Sequence, residues 1–145
     1  MRLIKLFSSD MEIDHIGQSL VNRTLPKPDW THAAHFAAAL WMIDNPAYTA
    51  ALDMPDIIRR YNEATGVENS DTDGYHETIT LASLKAAKSF MAKRKEAPLF
   101  ETVNQLLASD LGRSNWLLNY WTKETLFSVK ARKHWVEPDI KTLPF

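Results

Sequence analysis

The stretch THAAHFAAALWMID, residues 31–44, decides the fold class. Five of its residues are alanine, the best helix former, and it contains neither glycine nor proline. Phe36, Leu40 and Ile43 recur at helical spacing and share one face, whereas nothing in the stretch alternates with the period of two that a strand requires. Thr31 is a suitable N-cap. Asn45-Pro46 sets the end, because the residue before a proline disfavours the α region.

Glycine and proline divide the rest of the chain into pieces of similar size. Upstream, Ser9 to Arg23 reads as a helix opened by a Ser9/Glu12 capping box, with Met11, Ile13, Ile16 and Leu20 as its apolar face. Thr24 to Asp29 holds two prolines and reads as an irregular connection. Downstream, Pro55 to Thr65 is a helix with proline in its first turn and Gly66 as its stop. A polar loop, Val67 to Gly74, leads into a fourth helix from Tyr75 to Arg94. That helix is apolar on two sides, which predicts a central position, and Lys93-Arg94-Lys95 suits its C-terminal dipole. Pro98 to Ser109 is a fifth helix. Asn115–Trp121 and Glu124–Trp135 are two shorter ones, and the proline-containing tail from Glu137 to Phe145 lies over the surface. The reading is a single all-α domain over residues 1–145, a compact bundle of about five to seven helices.

Composition excludes several functional classes. Seventeen Lys and Arg against 18 Asp and Glu leave a net charge of −1, which argues against a nucleic-acid binder held by a broad basic field. The run Lys85–Lys95 reads as a solvated helix face opposed by acids elsewhere, and Lys130–His134 is balanced only in part by Glu137 and Asp139; neither makes a nucleic-acid footprint. There is no cysteine, hence no disulfide, thiolate ligand or thiol nucleophile. No run approaches the ~18 apolar residues of a membrane span. The apolar segment Leu3 to Phe7, interrupted by Lys5, is too short for a signal-peptide core, so a soluble cytoplasmic protein is expected. Neither a Gly-rich phosphate loop, nor G-x-S-x-G, nor H-E-x-x-H occurs.

The candidate chemistry lies in the histidines. His32 and His35, three residues apart in W-T-H-A-A-H (30–35), share a helix face. His76 opens the fourth helix in G-Y-H-E-T-I-T (74–80), with Glu77 beside it. Without cysteine, a divalent transition metal must use imidazole and carboxylate, and His32, His35 and His76 would supply three ligands with a position left for water. Adjacent helical residues point ~100° apart, so Glu77 is better placed as a general base acting through water than as a fourth ligand. Tyr75, Thr80, Asn62 and Trp30 are candidate binding residues around that pocket. The structural reading of the same residues is that Glu77 and Thr31 cap helices and the histidines bond to nearby loops. Asn69-Ser-Asp71-Thr-Asp73-Gly74 imitates the start of a calcium loop, but its twelfth position is Thr80 where a bidentate Glu belongs.

Together W-T-H-A-A-H (30–35), Y-N-E-A-T-G (61–66), N-S-D-T-D-G-Y-H-E-T-I-T (69–80) and L-F-S-V-K-A-R-K-H-W-V-E-P-D-I-K-T-L-P (126–144) resemble a family of small, largely uncharacterised bacterial helical proteins. The resemblance implies a helical fold and carries no mechanism. Three functions stay open: a small enzyme using imidazole and carboxylate acid–base chemistry, with or without a metal; a non-enzymatic module for a small anionic molecule, with helix N-termini and imidazoles as donors; and a homodimerising interaction protein whose histidines are structural.

Overall fold

Residues 32–44 form the axis of the molecule. The computed structural model describes residues 6–94 and 96–145. Among these it contains seven α-helices and no strand: α1 (Asp10–Val21), α2 (His32–Asp44), α3 (Ala50–Ala64), α4 (Glu77–Ala92), α5 (Leu99–Ala108), α6 (Lys123–Leu126) and α7 (Val129–Lys133). Short 3₁₀ turns occupy Lys27–Asp29, Asp110–Gly112 and Trp116–Asn119. Most of the Leu3–Phe7 segment, and Lys95 of the basic helix end, lie outside the described residues.

Every residue from Phe36 to Met42 is at most 5 % exposed. A helix buried on all sides needs a neighbour on every side, and α1, α3, α4 and α5 all pack against α2. The alanines at 37, 38 and 39 let their backbones come close. The sequence predicts α4 as the central helix. α4 does touch four other helices, but its exposed Lys85 and Lys88 give it a solvent side that α2 lacks between Phe36 and Met42.

α1 meets α2 through one close contact. Gly17 is buried beneath the Trp41 indole, and the indole N–H donates to Asp14 Oδ1 at 3.0 Å. A Cβ on Gly17 would lie 2.1 Å from a Trp41 ring carbon. The expected capping box is half present. Ser9 accepts from the Glu12 N–H, while the Glu12 carboxylate reaches back to Ser8 instead of the Ser9 N–H.

α3 begins at Ala50, five residues before the proline read as its start, and Pro55 sits inside it. Thr49 makes the earlier start possible: its N–H donates to Asp53 Oδ2 at 2.7 Å, and its carbonyl accepts from Leu52 and Asp53. The two C-terminal segments read as helices are shorter than expected. Asn115–Trp121 reduces to the 3₁₀ turn, and Glu124–Trp135 is divided at Phe127–Ser128, where Ser128 leaves α6 and caps α7 by accepting from Ala131 N–H. The tail is fastened across this region. Trp121 Nε1 donates to the Val136 carbonyl at 3.0 Å. Asp139 accepts from the Thr122 N–H and from the Thr122 and Thr125 hydroxyls, and these donors hold its carboxyl below the usual range.

We expect Gly17→Ala to lower stability by about 1–3 kcal/mol, because the methyl group must displace a packed indole. Urea denaturation of the variant beside the parent chain measures this, and a change below about 0.5 kcal/mol contradicts the packing described.

A candidate ligand cavity at the start of α2

His32 and His35 line a cavity of about 360 Å³ between the first turn of α2, the first two turns of α4 and the segment 114–127. Phe36, Ile79, Trp116, Leu117, Leu126 and Phe127 make its walls largely carbon, with Ser83, Ser114 and Asn115 as further polar groups. Phe127 is 58 % exposed and stands at its rim. Among the described residues, no Asp, Glu, Lys or Arg lines it.

Each of the two imidazoles is fixed by a backbone carbonyl. His32 Nε2 lies 2.8 Å from the Leu111 carbonyl, and His35 Nδ1 lies 2.7 Å from the Thr31 carbonyl one turn back. A carbonyl only accepts, so in each case the ring nitrogen is the donor, and this assigns the tautomers. The neutral His32 ring then carries its lone pair on Nδ1 and the neutral His35 ring on Nε2. Trp30 stacks on His35 with ring centroids 3.7 Å apart, and Phe36 meets the His32 ring edge-on at 5.3 Å. His35 is accessible from the cavity although many protein atoms surround it. Desolvation pushes its pKa down from the ordinary 6.5, and the nearby His32 adds to this. The hydrogen bond to Thr31 works against both. Water reaching the ring softens this desolvation without reversing it. With these N–H groups engaged by the backbone, the neutral rings of His32 and His35 have no further ring donor to offer a ligand.

His76 has a different task. Nδ1 accepts from the Ile79 N–H at 3.1 Å, capping α4, and Nε2 donates to the Leu126 carbonyl at 2.7 Å. Both nitrogens are thus engaged and the residue is 7 % exposed, so no lone pair is left for a metal. Among the described residues no three His, Asp or Glu side chains gather where an ion could sit; the expected His32–His35–His76 ligand set is not assembled. Desolvation lowers the His76 pKa, with the Arg132 charge lowering it further and the bond to Leu126 opposing.

Glu77, expected as the general base, does not line the cavity. Its Oε1 accepts from the Tyr75 hydroxyl at 2.5 Å. The Arg59 guanidinium lies 4.2 Å from the centre of the Tyr75 ring, and burial, with the bond to Glu77, raises the phenol pKa. Asn62 is a structural clamp: its amide donates to Asn69 Oδ1, which also accepts from the Tyr75 N–H, while Asn69 Nδ2 donates to the Arg59 carbonyl. The first position of the calcium-like loop is thereby used internally. Lys133 pairs with Asp71 at 2.6 Å and Arg132 donates to the Gly74 carbonyl, which ties much of the second basic cluster to this loop. Trp30 supports His35 from outside the cavity lining and meets Tyr61 edge-on.

Sequence reasoning did not place Trp116, Asn115 or Phe127 at a site. Their distance in sequence from residues 32–35 hides the association, and no periodic signal marks it. Thr78 was missed too. Its fully buried hydroxyl lies 2.7 Å from the Ala131 carbonyl and 2.8 Å from that of His134, and accepts from the Val136 N–H. No family model, no curated protein and no solved structure matches the chain.

Two outcomes follow from the histidines. His76→Ala removes a cap and strips a carbonyl of its donor, so we expect a loss of about 2–4 kcal/mol by urea denaturation, with His76→Asn intermediate because it keeps the cap. Since the folded pKa values of His35 and His76 lie below 6.5, the unfolded chain binds more protons in acid. Their contribution to stability is complete above pH 6.5 and declines as pH falls below it. Thermal unfolding between pH 7.5 and 5.5 should show Tm falling, with a shallower slope in His76→Asn.

Proposed function

We propose that this protein binds a small molecule in the cavity at the start of α2. One observation carries the reading: a preformed, largely apolar cavity of about 360 Å³ holds two imidazoles whose orientation and tautomer are set by backbone carbonyls. Ligand sites in proteins share this makeup, concave and mostly carbon with a few oriented polar groups, at volumes of roughly 300–1,000 Å³. Side chains locked in place before the ligand arrives lower the ordering cost of binding. Acid–base chemistry at this site, if a substrate offers a labile proton, falls to His35 and not to Glu77, since His35 Nε2 faces no protein partner among the described residues while Glu77 is engaged with Tyr75.

A structured cavity of this kind should take up simple aromatic probes. We expect toluene and indole to give saturable chemical-shift changes in residues 32–36, 79–83 and 114–127, with Kd on the order of 0.1–1 mM. Ser83→Phe places a ring in the cavity and should abolish the response while the chain stays folded. Shifts that fail to saturate, or that persist in Ser83→Phe, contradict the proposal.

A further inference from the structure

The placement of hydrogens on the two imidazoles selects a ligand class. This step rests on the cavity being a binding site, as proposed above. We propose that the cavity takes an uncharged one- or two-ring molecule bearing an N–H or O–H group, and that the lone pairs of His35 Nε2 and His32 Nδ1 receive that hydrogen.

The polarity of the site is the first support. Histidine is usually adaptable, able to offer either a donor or an acceptor. Here the Thr31 and Leu111 carbonyls remove that freedom, each holding one ring N–H. Neither remaining nitrogen has a protein partner among the described hydrogen bonds, and no half-buried or buried side-chain nitrogen is left both enclosed and unpartnered. His32 Nδ1 is therefore not sealed off by protein atoms. A ligand group at this end that only accepts, such as an ether or carbonyl oxygen, would face lone pairs with no hydrogen between. A carboxylate would add charge repulsion to that.

Charge is the second support. With no Asp, Glu, Lys or Arg among the described lining residues, an ionic ligand would give up hydration without gaining a counter-charge. Size is the third. The cavity is about 360 Å³, against roughly 150 Å³ for an engineered apolar cavity that holds benzene, which leaves room for two fused rings. The flanking Phe36, Trp116 and Phe127 favour a flat, carbon-rich body. Trp30, stacked behind His35, keeps the receiving ring from rotating away.

Matched probes decide the matter: indole against N-methylindole, and 2-naphthol against 2-methoxynaphthalene, titrated into protein labelled with ¹⁵N at histidine. The donor of each pair should bind about three- to tenfold tighter, the range of one hydrogen bond. Only the donor should move the unprotonated imidazole nitrogen of His35 or His32. In a His32→Phe/His35→Phe chain the preference should collapse to near unity while the methylated partners still bind. Should that variant fail to fold, the nitrogen spectra of the parent chain decide alone. Equal affinity within each pair overturns the ligand class and leaves small-molecule binding standing. Spectra showing hydrogen on His35 Nε2 do the same. Failure of all four probes to bind overturns both.

Discussion

Burying one helix on every side is the constraint on which this molecule is built. From Phe36 to Met42, α2 has no face left for solvent, so four other helices must be arranged around it. Small side chains allow that crowding: alanines along α2 and Gly17 on α1, where the Trp41 ring occupies the space a side chain would need. The polar end of α2 then emerges from the core at a place where packing is incomplete. Its first turn looks across a gap to Trp116 and Leu126, and the gap is the cavity.

The same backbone that packs the bundle sets the chemistry of the gap. His32 and His35 stand three residues apart, yet they are oriented by different means. A carbonyl one helical turn earlier holds His35, and a carbonyl nearly eighty residues along the chain holds His32. Their rings lose the freedom to exchange roles. An imidazole that cannot choose between donor and acceptor is a more selective group than a free one, because it rejects partners of the wrong polarity.

How far the sequence discloses this depends on the range of the interaction. The class of the fold is visible in local spacing, since alanine content, caps and proline boundaries act within a turn or two. The His32/His35 pair is visible for the same reason. The departures have local causes as well: Asp53 reaching back to Thr49 extends α3 ahead of Pro55, and Ser128 ends one helix and begins another. The cavity walls are a different matter. Trp116 and Phe127 are brought to His32 by tertiary packing, for which a single sequence holds no periodic signal. His76 shows the limit most clearly. Its position at the head of α4 is legible, but the second partner that converts it from a ligand candidate into a double clamp is the Leu126 carbonyl, fifty residues away.

That clamp also joins the site to the fold. The cap on α4 is finished only when Leu126 arrives, and the Thr78 hydroxyl, two residues on, finds its partners at Ala131, His134 and Val136. The first turn of α4 thus depends on contacts of long sequence separation, which are slow to form because a long loop must close first. Leu126 is also a wall of the cavity, so the bond that secures the head of α4 and the surface that shapes the site belong to one residue, and a change that loosens the clamp alters the site as well.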